Sequence, residues 1–239
     1  MSMYLGNTKI GQMYLGSTEI AEAYLGSAKV YQKLPYDAQV EYLESNGTQY
    51  IDTGVNLKLD DYFEIELCNT TNNFIENKGY GSGDSSSILN KEIGGGLRGF
   101  RYNNSIGVGA YICGTNIIYP NIENVTIGKW FKEYFTFSTP IVYNWYDFSE
   151  NDLYQSDPRL ITLSENSNNI YLFKSSSPSY SYAGRKRIRH VKIVRNNIPV
   201  LDLVPVRVGN TGYMYDKVSN QLFANAGTGS FTLGNDITT

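Results

Sequence analysis

The chain has 239 residues, and its 20 basic and 23 acidic side chains leave a formal charge of −3, too balanced for a general electrostatic attraction to nucleic acid. No apolar run reaches the roughly 18 to 20 residues that cross a bilayer, so no membrane partner is expected. One histidine, His190, and two cysteines, Cys68 and Cys113, leave almost no room for Cys/His zinc sites, histidine-dependent catalysis or a disulfide scaffold. The two cysteines read as buried thiols in strands, with pairing left open. The opening Met1-Ser2-Met3-Tyr4 has neither a charged leader nor an apolar signal core, so classical secretion is not expected. Twenty-one Tyr, 10 Phe, 23 Gly and many Asn, Ser and Thr favour strands and tight turns.

A ten-residue repeat comes first. Residues 3–12 read MYLGNTKIGQ, 13–22 MYLGSTEIAE and 23–32 AYLGSAKVYQ, so Tyr4-Leu5-Gly6, Tyr14-Leu15-Gly16 and Tyr24-Leu25-Gly26 recur in phase. A glycine before Asn7, Ser17 and Ser27 suits two-residue hairpin turns, where positive φ costs least. The pattern predicts a short up-and-down meander. With Gly16-Ser17 as the turn, Met13 faces Ile20 and Leu15 faces Thr18, while Tyr14 and Ile10 point to the other side. Both faces are thus partly apolar, and some thirty residues cannot enclose a core of their own. Tyr4, Leu5, Tyr14, Leu15, Ile20, Tyr24 and Leu25 are therefore the candidate docking or oligomerisation residues. The plainer alternative is an extension packed on the chain's own second part.

Pro35 breaks the repeat pattern, and the organisation predicted is a repeat segment over 1–34 and one domain over 35–239. Strands are predicted over 38–44, 48–53, 62–68, 97–102, 125–137, 140–147, 170–174, 187–195 and 198–206. Alternation is clear where Tyr62, Glu64 and Glu66 oppose Phe63, Ile65 and Leu67. Many short alternating strands with Gly- and Asn-rich turns predict an all-β, two-sheet antiparallel sandwich.

Three stretches carry a resemblance. The Tyr-Leu-Gly-Ser-Thr-x-Ile unit resembles N-terminal repeats of structural proteins from phages and prophages of gut bacteria. Val40 to Gly54 (VEYLESNGTQYIDTG) is similar to the opening of concanavalin-like, laminin-G-like jelly rolls in such proteins. The ending matches too, from Asp202 to Arg207, through Gly212 to Asp216, and from Asn225 to Phe231; residues 69–160 match only loosely. The resemblance implies a jelly-roll sandwich in a virion setting; the apolar faces of the repeats in turn predict a homo-oligomer or insertion into other virion proteins. It does not imply a ligand, since one fold hosts many functions.

Candidate sites follow from the residues. Tyr143, Trp145, Tyr146 and Asp147, with Asn144, could stack on a sugar ring and bind its hydroxyls. The plainer reading is a sandwich strand whose alternate aromatics fill the core, and Trp130, flanked by Phe131, Tyr134, Phe135 and Phe137, reads as core. Asp147, Glu150, Asp152 and Asp157 form an oxygen-rich loop without the defined ligand spacing of a Ca²⁺ site, so a solvated loop is favoured and no cofactor is expected. Arg187, Arg189 and Arg195 share one strand face with Val191 and Ile193, and Lys192 shares the other with Ile188, His190 and Val194. That splits the basic cluster between faces. The glycine clusters at 79–83 and 94–96 read as loop tips.

Catalysis has a poor basis. Hydrolases on related sandwiches place carboxylates about 5 to 9.5 Å apart across the bond they cleave. The nearest pair is Glu64 and Glu66, which suit an exposed sheet face equally well. The reading is a non-enzymatic virion subunit of a tailed phage, a fibre or decoration protein whose lectin-like domain binds host or environmental glycans. A glycan-degrading enzyme and a ligand-free adaptor are the alternatives.

Overall fold

A computed structural model describes residues 3–5, 8–10, 13–70, 80–82, 93–95, 100–102, 105–112, 115–119, 127–149, 151–158, 160, 168–174 and 184–237. In the strands up to residue 10 and those between 80 and 119 only the backbone is described. The chain divides into two compact units, Met1–Asp37 and Ala38–Thr239, where the sequence placed the boundary after residue 34.

In the first unit β1 (Met3–Leu5) pairs with β2 (Thr8–Ile10), β3 (Tyr14–Leu15) with β4 (Thr18–Glu19), and β5 (Glu22–Leu25) with β6 (Ala28–Gln32). Leu15 faces Thr18, and the Ile20 amide donates to the Met13 carbonyl (2.7 Å), which is the register the turn at Gly16-Ser17 requires. Gly16 and Gly26 sit at φ +64° and +62°, as the first residue of a glycine-led hairpin turn must. The expected single meander is not what forms. Each repeat supplies both arms of one hairpin, so its ladder closes on itself, and the three hairpins are separate two-stranded sheets among the described residues.

The second unit continues with β7 (Ala38–Gln39), β8 (Leu43–Asn46), β9 (Ile51–Asp52) and β10 (Tyr62–Asn69). Next come β11 (Tyr80–Ser82), β12 (Ile93–Gly95), β13 (Phe100–Tyr102), β14 (Ser105–Ile112) and β15 (Thr115–Tyr119). Then follow β16 (Trp130–Thr136), β17 (Tyr143–Asp147), β18 (Asp152–Gln155) and β19 (Tyr171–Leu172). The last are β20 (Arg185–Arg195), β21 (Ile198–Val208), β22 (Thr211–Asp216), β23 (Gln221–Phe223) and β24 (Thr232–Leu233). Gly81, Gly94 and Gly95, expected at loop tips, lie inside β11 and β12; the rest of those clusters falls outside the described residues.

These strands form an all-β sandwich. The larger sheet runs β18-β17-β16-β10-β20-β21-β22-β23, with β8 also on β20, β24 on β8 and β7 on β21. The second runs β13-β14-β12-β11-β19-β9, with β15 on β14, and every pairing is antiparallel. One core joins the sheets. Phe63, Ile65, Leu67, Phe131, Phe135, Ile188, Val191 and Ile193 come from the larger sheet; Ile51 and Leu172 come from the second, with Ile170 and Phe173 flanking β19. Burying each such side chain stabilises the fold by about 1.5 to 3 kcal/mol.

The two stretches that open and close the domain in sequence are pinned together in space. Thr48 Oγ1 donates to the Thr228 carbonyl (3.0 Å), the Tyr50 amide to Asn225 Oδ1 (3.2 Å), and the Ala226 amide to the Tyr50 carbonyl (2.8 Å). At Gly227 a Cβ would lie 2.1 Å from the Thr48 carbonyl oxygen, so only glycine permits this backbone approach.

One irregularity resets the face of β20. Between β10 and β20, Glu66 pairs with His190 and Leu67 with Ile188, leaving Arg189 as a bulge. Unbroken alternation back from Ile193 and Val191 would turn Arg189 and Arg187 into the core and Ile188 out. The extra residue reverses this: Ile188 and Lys186 face inward, while Arg187, Arg189, His190 and Lys192 lie on the outer side. The expected split of the basic cluster is thereby corrected. A buried unpaired guanidinium costs several kcal/mol, far more than one irregular ladder position. The β20–β21 hairpin closes through Asn196 and Asn197, at φ +51° and +63°, the two-residue turn that matches strand twist.

Candidate functional site

Three of the four residues expected to touch sugar point into the molecule. Along β17 alternate side chains are buried, and Tyr143 and Trp145 are 0% and 1% exposed. Trp145 packs against Phe131 (4.6 Å between ring centroids) and Tyr154 (5.3 Å), so its indole is core and offers no stacking platform. Asp147 is buried and accepts bonds from the amide and hydroxyl of Ser149 (2.7 and 2.6 Å), which uses its carboxylate to shape the turn. Asp152 and Asp157 are exposed, Glu150 is outside the described residues, and no cluster of three metal-ligating side chains occurs among those described. Cys68 is a buried free thiol in β10, raised in pKa by burial, and Cys113 lies outside the described residues.

Tyr146 alone of the four faces outward, and the outer side of the larger sheet is where polar and aromatic groups collect. Register sets them in rows across the strands. One row runs His190, Glu66, Lys132, Tyr146, Leu153; the next runs Asp202, Lys192, Glu64, Tyr134, Asn144, Gln155. Tyr62, Lys132, Tyr134, Tyr146, Phe148 and Leu153 line a cleft of about 370 Å³. That volume suits a small ligand, and most of its lining is ring or aliphatic surface. Tyr62 and Tyr134 stand tilted with centroids 6.2 Å apart, and Tyr146 meets Phe148 edge-on at 5.1 Å. Leu153 is 57% exposed, unusually open for a leucine beside a cleft.

The bulge residue supports the cleft wall. The Arg189 guanidinium lies 4.5 Å from the Trp130 ring centre and 4.6 Å from that of Phe148, and its Nε donates to Glu66 (2.7 Å). Trp130, expected in the core, is on this outer face instead, because its register partner Cys68 follows Glu64 and Glu66 in phase. Behind the cleft Lys132 lies 3.9 Å from Glu64 and 3.6 Å from Glu66. Both ring nitrogens of His190 face carboxylates, Nδ1 to Glu64 (3.3 Å) and Nε2 to Asp202 (3.0 Å). The Tyr62 hydroxyl donates to Glu64 (2.7 Å), and the Tyr146 hydroxyl donates to Asn151.

This network fixes charges rather than freeing them. The His190 bond draws the Glu64 carboxyl down to about 2, against the opposing effect of burial, with Tyr62 and Lys132 assisting. Burial pulls His190 down, but its bonds to Glu64 and Asp202 outweigh that and raise it above its ordinary value. Glu64 is therefore an anion across the working pH range and holds no proton to deliver to a leaving group. The cleft offers phenol faces for the C–H surface of a polyhydroxylated ring and the Lys132 ammonium for its hydroxyls, while the Asn144 and Gln155 amides are taken up by one another and by strand carbonyls.

Sequence reasoning missed Tyr62, Lys132, Tyr134, Phe148 and Leu153. The available signal was Tyr62 on the polar side of an otherwise well-alternating strand. A second outward aromatic cluster, also missed, stacks Tyr50 on Tyr171 (5.2 Å) with the Lys174 ammonium 4.5 Å from the Tyr50 ring.

No family model and no curated protein sequence matches the chain. Among solved structures it is similar to a protein of Bacteroides ovatus provisionally named a carbohydrate binding protein. The TM-score is 0.53 at 13% identity, over 90% of this chain and 66% of that one. This likeness supports the sandwich fold, and the chain spans just under two thirds of that protein's length.

Inward and outward residues of one strand should separate stability from binding. Trp145→Ala should cost about 3 to 5 kcal/mol in urea unfolding, and Tyr146→Ala less than about 1 kcal/mol. Equal losses would mean that the strand faces are wrongly assigned.

The His190 network also fixes a pH response. A raised histidine stabilises fully below its ordinary value of 6.5 and loses that contribution as pH rises through its folded value; the lowered Glu64 stabilises above 4.5 and loses its contribution as pH falls towards about 2. In thermal unfolding both contributions should therefore be complete between those ordinary values, and the His190 contribution should decline on the alkaline side, opposite in sign to that of the lowered Lys186 amine. His190→Gln should remove the alkaline decline; an unchanged profile in that variant would assign the decline elsewhere.

Proposed function

We propose that residues 38–239 are a non-catalytic carbohydrate-binding module that holds a surface glycan in the Tyr62–Tyr134–Tyr146 cleft, and that the whole chain is a structural subunit of a phage virion. The observation that carries the glycan reading is the cleft itself: three phenol rings, Phe148 and Leu153 around Lys132 on the outer side of the larger sheet. The name of the Bacteroides ovatus structure supports the same ligand class. Against a hydrolase stands Glu64, held ionised by His190 where a general acid is required. The protein should select glycans on an array, with titration calorimetry giving affinities weakened at least tenfold by Tyr134→Ala or Tyr146→Ala. Binding that survives both substitutions, or cleavage of the bound glycan, would replace this reading.

The virion setting rests on the resemblance of the repeats and of the two ends of the domain. What the repeats add is surface: Leu15 and Leu25 are 77% and 76% exposed, and Tyr14 and Tyr24 both 55%. Ile20 is half-buried, while Tyr4 and Leu5 lie in β1, whose side chains are not described. In-phase tyrosine–leucine pairs on two-stranded sheets leave apolar surface and open edges for a second copy or a neighbouring virion protein. Light scattering should find the full chain associated, and Leu15→Asp with Leu25→Asp should release monomers. A wild-type monomer that also fails to bind any virion subunit would remove the docking role.

A further inference from the structure

The bulge at Arg189 sends Lys186 into the interior, where glycan binding has no use for it. Lys186 is 0% exposed, and its Nζ donates to Oδ1 of Asn69, which is 2% exposed and is its register partner on the neighbouring strand β10. Asn69 Nδ2 has no hydrogen-bond partner among the described residues. An ammonium and a carboxamide together bring five N–H bonds into this space, and among the described residues the bond to Asn69 Oδ1 is the one hydrogen bond that takes any of them up. Glu133, also 0% exposed, lies on β16 on the other side of β10 and acts on the amine electrostatically. Burial holds the amine down at about 7, against the pull of Glu133, so its neutral nucleophilic form is well populated near neutral pH.

We propose that Lys186 and Asn69 condense into an intramolecular isopeptide bond that staples β20 to β10. The Nζ lone pair attacks Asn69 Cγ and forms the new C–N bond. The Cγ–Nδ2 bond then breaks, its electron pair stays on Nδ2, and Nδ2 takes one proton from Nζ and departs as ammonia. No oxidant, cofactor or co-reactant is required. Product formation resolves the donor surplus, since the new amide retains a single N–H and the unpartnered Nδ2 is gone. The next inward row, Ile188, Leu67 and Phe131, is fully buried and keeps out the water that would hydrolyse the carboxamide instead.

Intact mass spectrometry of the denatured full-length chain reads the bond directly, whether or not any variant folds. The wild type should be lighter than its sequence requires by the mass of one ammonia. After trypsin, Lys186 should resist cleavage, and a branched peptide should join it to the segment holding Asn69. Lys186→Arg and Asn69→Ala should each restore the full mass. A wild type at full mass would overturn the proposal. So would an ammonia loss that persists in Lys186→Arg, which would instead mark cyclisation of an asparagine onto its own backbone.

Discussion

The phase of β20 depends on one surplus residue, and much of the rest depends on β20. That strand lies at the centre of the larger sheet, between β10 on one side and β8 and β21 on the other. Removing Arg189 from the ladder lets Ile188 join Val191 and Ile193 in the core while the neighbouring cations face solvent. The bulged side chain then becomes a brace between Trp130 and Phe148, so one backbone irregularity settles both the packing inside and the wall of the cleft outside.

The cost of this solution appears at the strand's beginning, where Lys186 is carried inward with its amine. Buried amines are rare in sandwiches because desolvation outweighs single hydrogen bonds. Here an asparagine and a glutamate accompany it, and the interior combines an apolar middle with a polar end. The outer side shows the opposite balance: Glu64, Glu66 and Asp202 are matched by Lys132, Arg189 and His190, so the face is held rigid without strong net charge.

How far the sequence could be read follows the physics of each element. Regular alternation placed Tyr62, Glu64 and Glu66 together on one side of β10, and glycine-led turns gave the register of the repeat at Gly16. The same two-residue logic failed for β20, since a bulge has no signature in a run of Arg, Ile and His and shows only as a charge that would otherwise be buried. At Trp130 the same logic was available and was not followed: alternation sets Trp130 with Lys132, Tyr134 and Thr136, opposite Phe131, Phe135 and Phe137, and the apolar neighbours masked that phase. Within the candidate site, Tyr146 was legible by composition, yet its partners Tyr62, Tyr134 and Leu153 come from three other strands. Cross-strand neighbours are a property of register, and register is not written in any single segment.

The three hairpins of the first unit each close their own ladder, with Gly16 and Gly26 turning the second and third. In a continuous meander an inserted unit would have to pair with the strands on either side of it. Self-closed hairpins carry no such requirement. The segment is in effect a string of beads, each closing within its own stretch of chain, and the second and third present the same tyrosine and leucine.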